Sequence, residues 1–125
     1  MPSTLAAMAA LLGLLGVVLG AYGAHGLAGR GVTSAQLASW QTAVHYHLLH
    51  VVAVLAITVW LRSTTSSWLS TAAIAWLVGI LLFSGSIYVL VLGGPRWLGP
   101  ITPAGGVVLM AGWGALFVGA LRSGS

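Results

Sequence analysis

Neither aspartate nor glutamate occurs in this 125-residue chain, cysteine is absent as well, and only 3% of the residues carry charge. Without cysteine there are no disulfides, no thiolate catalysis and no Cys-based zinc or iron–sulfur site. Without a carboxylate, a Ser–His pair has nothing to orient its imidazole, and the Gly-x-Ser-x-Gly elbow is missing too. A proton antiporter that works through an intramembrane Glu is excluded on the same ground. The formal charge of +4 comes from Arg30, Arg62, Arg96 and Arg122, spread over the loops and the C-terminal end, so no basic patch exists to grip nucleic acid. What remains is apolar. A hydrophobic content of 59% and a mean hydropathy of +1.08 leave too little polar surface to solvate a globular fold of this length.

Four apolar segments follow one another, at about residues 4–24, 41–61, 68–92 and 103–121, each long enough for a helix to cross about 30 Å of hydrocarbon at about 1.5 Å per residue. The expected fold is an all-α integral membrane protein. Four transmembrane helices, near residues 4–26, 34–62, 68–92 and 103–122, form one antiparallel bundle and a single domain. The first segment exceeds the apolar core of a signal peptide, and no Lys or Arg precedes it.

Local signals set the ends. Thr33-Ser-Ala-Gln36 has capping-box spacing, so helix two is expected to start near Ser34, with its first turns along the interface. Gly93-Gly94-Pro95 should end helix three, and Thr102-Pro103 reads as an N-cap followed by proline at the first helical position. Trp40 and Trp97 on one side, and Trp60 and Trp68 on the other, are expected at the two interfaces.

Small residues mark the packing faces. Ala6, Ala9, Gly13, Gly16, Gly20 and Gly23 alternate by three and four along helix one, and Gly105, Gly112, Ala115 and Gly119 do much the same on helix four. Because lipid offers no hydrophobic drive for association, close backbone approach must hold such helices together.

Polar residues concentrate in one half of the bundle. His45, His47 and His50 fall within six residues of helix two, where Thr42, Tyr46 and His50 line up at about 100° per residue, with His47 about 60° to one side. Val44, Leu48, Val51 and Leu55 lie on the opposite side and suit lipid. Connectivity brings His25, Ser84, Ser86, Tyr88 and Thr102 into the same half. Charged groups at the bilayer centre cost about 2.5 kcal/mol or more, so such residues normally face the interior and pair. His25, Thr42, Tyr46, His50, Ser84 and Tyr88 are therefore the candidate ligand or pore-lining residues, with His25 and His50 expected to share an interhelical site.

Gly20-Ala-Tyr-Gly-Ala-His25-Gly, Thr42-Ala-Val-His-Tyr46-His-Leu-Leu-His50, Phe83-Ser-Gly-Ser-Ile-Tyr88 and Ile101-Thr-Pro-Ala-Gly-Gly106 with Ala111-Gly-Trp113 resemble the signatures of the small uncharacterised inner-membrane proteins of the YgdD/YwdK type. That family, the domain of unknown function 423, also includes an animal mitochondrial transmembrane protein. The resemblance implies four transmembrane helices and no particular activity. His25 and His50 fall on family histidines. His47 stands where the family usually has Gln in a Tyr-Gln-x-x-His segment, which weakens any mechanism that requires a histidine there.

Function classes narrow accordingly. One reading is a His/Ser/Tyr-lined site that passes or binds a small polar solute or ion; the arginine and phenylalanine motifs of fluoride channels are absent. The alternative is a non-catalytic accessory or assembly subunit of a larger membrane complex. A third is haem or metal binding, with His25, His47 and His50 as the candidate ligands. No enzyme activity and no obligatory cofactor are expected. The expected surroundings are the lipid bilayer of a bacterial inner membrane and a homo-oligomer or complex, without nucleic acid and with both termini cytoplasmic.

Overall fold

A computed structural model describes residues 2–123, and they form four long helices joined by short turns. Helix α1 spans Pro2–His25, α2 Ser34–Trp60, α3 Ser67–Val91 and α4 Ile101–Ser123. All four are long and apolar enough to cross a membrane. Their large outward side chains, among them Leu14, Val17, Val52, Met110 and Phe117, are exposed on surfaces that suit lipid.

Two of the expected ends form as the local chemistry requires. The Thr33 hydroxyl accepts from the Gln36 amide at 3.1 Å while the Gln36 side chain accepts from the Thr33 amide at 2.8 Å, closing the capping box at the start of α2. At the end of α3, Gly93 takes φ 99°, the left-handed region that suits glycine. The amides of Gly93 and Gly94 then return to the carbonyls of Leu90 and Val89. The start of α4 differs from expectation: the helix opens at Ile101, with Ala104 N–H donating to the Pro100 carbonyl, so Thr102 is inside the first turn and not its cap. Pro103 is tolerated there because first-turn amides have no intrahelical acceptor in any case.

Packing follows the small-residue seams. A Cβ placed on Gly13, Gly16, Gly20 or Gly23 would meet Val51, Leu48, Val44 or Trp40 in turn, so the α1 seam lies against α2 in an antiparallel register. On the other side, Gly79 faces Leu109, Gly112 faces Trp76 and Gly119 faces Leu69, locking α3 to α4. Neighbours in sequence are thus neighbours in space: α2 and α3 form the centre, α1 leans on α2 and α4 on α3. Among the described residues α1 and α4 do not form a packed pair, so the bundle is open along that edge. The apolar residues of α2 assigned to lipid are corrected in part. Val51 is buried, and Val44 and Leu48 are half-buried against α1, because glycines on α1 draw them in.

Candidate polar site within the span

The inward face of α2 carries Trp40, Ala43, His47, His50, Val54 and Ile57, a heptad-like stripe in which two histidines are the polar members. Trp40 and His47 are seven residues apart, and so are Leu19 and Leu12 on α1. The Trp40 indole N–H donates to the Leu19 carbonyl at 2.9 Å, and the His47 Nε2 lies 2.7 Å from the Leu12 carbonyl. Each contact passes over a glycine four residues along α1, Gly23 for Trp40 and Gly16 for His47: a Cβ at Gly23 would enter the Trp40 ring's space, and one at Gly16 would strike Leu48 and crowd the His47 ring. The seam therefore does more than bring two backbones together: it lets α2 rings donate to main-chain carbonyls of α1.

The same ring reaches α3. His47 Nδ1 lies 2.9 Å from the Tyr88 hydroxyl. Since a carbonyl only accepts, Nε2 must carry the hydrogen. For a neutral ring, Nδ1 then accepts from the Tyr88 O–H. Nearby the Ser84 hydroxyl donates to the Ala43 carbonyl at 2.7 Å, a second tie between α2 and α3. Ser86 pairs with Thr102, joining α3 to α4.

His50 faces α3 and α4. Its Nδ1 is 2.7 Å from the Tyr46 carbonyl one turn earlier, and its Nε2 accepts from the Trp113 indole N–H at 3.0 Å. This geometry fixes the opposite tautomer from His47, with the hydrogen on Nδ1. The ring is set among Tyr46, Trp76 and Trp113, with centroids 5.9 to 6.1 Å away. Trp76 is buried with its indole edge over Gly112, and its N–H has no hydrogen-bond acceptor among the described residues.

Several sequence expectations change at this point. His25 is exposed at the end of α1, whereas His50 is level with Gly13 through its neighbour Val51. Twelve residues of α1 separate those levels, roughly 18 Å along the axis, so the two histidines do not share a site. Thr42 is exposed and Tyr46 is 41% exposed, packed edge-on to Phe83. The inward face of α2 is thus centred on His47 rather than on Thr42. Trp40, expected at the interface, is buried at 1% exposure beneath Tyr22 and Tyr88. Of the named candidates, His50, Ser84 and Tyr88 do lie inside, and Trp113 is the partner that spacing on α2 alone could not supply. Among the described residues no three His, Cys, Asp or Glu side chains converge as a metal site. His47 and His50, though three residues apart, turn their rings to different helices.

Comparison with known proteins assigns the chain. The profile of the family described as "Protein of unknown function (DUF423)" matches residues 19–106, most of the sequence. This chain belongs to the DUF423 family. Its relatives include the UPF0382 inner membrane protein YgdD of Escherichia coli K12, 38% identical over 82 residues that cover 66% of this chain and 63% of the relative. A UPF0382 membrane protein of Haemophilus influenzae is 39% identical over 96 residues, covering 75% and 76%. Another from Staphylococcus saprophyticus is 38% identical over 93 residues, covering 73% and 75%. The match thus spans less than two thirds of the length of the Escherichia coli relatives. No solved structure matches. All of α2 and α3 falls within the DUF423 match, together with the end of α1 and the first turns of α4. Trp113 and Leu12, two partners of the histidines, lie outside it.

One substitution separates the two histidines in effect. His50→Leu should cost roughly 1 kcal/mol, the scale of one interhelical hydrogen bond, because Trp113 is part-exposed and its indole can reorient. Trp113→Phe should cost about as much, and the double variant little more than either alone. Unfolding in mixed micelles measures this; strict additivity would show that the two side chains are not bonded.

Proposed function

We propose that this membrane protein is a non-catalytic accessory or assembly subunit of a larger membrane complex, in a bacterial inner membrane as the name of its Escherichia coli relative suggests. The observation that carries the reading is that the buried histidines and serines of the span, though not the Trp76 N–H, are bonded to the protein's own helices. His47 bonds to α1 and α3, His50 to α2 and α4, Ser84 to α2 and Ser86 to α4. Such a network connects helices and leaves little polar lining for a solute path. It also argues against haem or metal ligation, since the lone pairs a metal would need on His47 and His50 already accept from Tyr88 and Trp113. The relatives carry names without an activity.

Solute binding retains one supporting feature, a groove of about 370 Å³ lined by Tyr46, His50, Phe83, Met110 and Trp113. Purification in mild detergent, with absorption spectrum, metal content and copurifying chains recorded, separates these readings. A larger partner in fixed ratio is expected, and solute flux in proteoliposomes should stay at the protein-free background in the parent and in His50→Ala alike. Stoichiometric haem or copper, or flux abolished by that substitution, would overturn the subunit reading. Self-association into a homo-oligomer would appear in the same preparation.

Both termini are proposed to be cytoplasmic. The arginines give no preference, Arg62 and Arg122 lying at one end and Arg30 and Arg96 at the other. In a chain without native cysteine, a cysteine at Gly94 should react with an impermeant external reagent and one at Ser66 should not. External labelling at Ser66 alone reverses the assignment.

A further inference from the structure

An open groove of about 580 Å³ runs between the end of α1 and the outer side of α2, where Gly20, Gly23 and Ala24 leave α1 thin. We propose that it is a binding site for one anionic phospholipid, with the head group near Gln41 and His45 and an acyl chain along Val44, Leu48 and Val52. Three observations carry this.

The first is polarity. Gln41 and His45 are one turn apart on α2, both are exposed, and among the described residues neither has a hydrogen-bond partner for its side chain. Polar groups on a lipid-facing helix surface are costly unless something pairs with them. Both lie toward the end of the span reached by the capped start of α2, about 10 to 17 Å along the helix from Ser34, at the head-group end of the groove. Below them the groove is apolar.

The second is size. The apolar lining on α2 that would carry the chain runs from Val44 to Val52, about 12 Å, most of the roughly 15 Å of hydrocarbon in one leaflet. A single acyl chain is a thin thread of methylenes that an apolar strip in a groove of about 580 Å³ can seat.

The third is charge. Arg30 follows α1 at this end of the molecule, and the whole chain has no carboxylate side chain to oppose an anion.

Native mass spectrometry of the detergent-purified protein, titrated with phosphatidylglycerol or phosphatidylcholine of identical acyl chains, tests the proposal. One phosphatidylglycerol per chain should bind about tenfold more tightly than phosphatidylcholine. Arg30→Gln should lose most of that preference and still bind either lipid, whereas the double variant Q41L/H45L should weaken both. Ala24→Leu, on the exposed rim and outside the helix contacts, should weaken both by about tenfold, while thermal unfolding shows each variant folded. Equal binding of the two lipids by the parent, an unchanged preference in Arg30→Gln, or unchanged binding in Q41L/H45L, would overturn the head-group assignment. Unchanged binding in Ala24→Leu would overturn the groove, and a dimer that Q41L/H45L dissolves would show that a second copy is the occupant.

Discussion

Gly105→Ala is expected to destabilise the protein by about 3 kcal/mol, the upper part of the range for forcing extra volume into a packed site. A Cβ there would press on the main chain of Leu82 and Phe83, and backbone inside a helix cannot rotate away as a side chain can. The whole α3–α4 register would have to open, since Gly79, Gly112 and Gly119 lock the same pair of helices at other levels. Gly114→Ala is the control: nothing lies within 4 Å of the added methyl, and the gain in helix propensity of up to about 1 kcal/mol should leave it neutral or more stable. Thermal unfolding in one detergent compares them. Equal melting temperatures would mean that α3 and α4 do not cross as described.

His47→Ala should have the second large effect, about 3 kcal/mol, because it removes contacts to two helices and leaves a cavity. An interhelical hydrogen bond contributes about 0.6 to 1.7 kcal/mol, and here the Tyr88 hydroxyl and the Leu12 carbonyl both lose a partner. Truncating a buried ring adds a packing loss of similar size. Helix α1 is held mainly by α2, so amide exchange in α1 around Leu12 to Gly16 should rise more than in α4. His47→Gln should recover most of the stability. A glutamine amide can donate through its NH2 and accept through its oxygen, which fits the resemblance noted above, in which Gln is the usual residue. If Gln is no better than Ala, the two-sided bond is not what stabilises this position.

Much of the fold was legible because hydropathy and capping act locally. Four apolar runs, the Thr33–Gln36 box and the Gly93–Gly94 stop each follow from a few neighbouring residues. The seams on α1 and α4 were legible too, since small residues in a span have few other uses. The rotation of α2 was not. Lining up Thr42, Tyr46 and His50 assumed that polar residues turn inward, but near an interface a threonine or tyrosine can face outward at little cost. What sets the rotation is the partner surface, where Gly16 and Gly23 make room for His47 and Trp40. Matching the two heptads, 40 and 47 against 16 and 23, could have revealed it from sequence. That Trp40 turns its ring inward was not legible because indole suits both an interface and a buried carbonyl contact. Thr102 was misread because the Pro100 carbonyl starts the helix two residues before the expected cap. No local signal could pair His50 with Trp113, sixty-three residues away.

The most direct test of the claim that these histidines connect helices is their tautomeric state. In protein labelled with ¹⁵N at histidine and reconstituted in lipid, His47→Gln and His50→Leu variants assign the two buried rings. His47 should carry its hydrogen on Nε2, facing the Leu12 carbonyl, and His50 on Nδ1, facing the Tyr46 carbonyl, with Tyr88→Phe perturbing only the first and Trp113→Phe only the second. Two rings in the same tautomer, or resonances indifferent to both substitutions, would contradict the network.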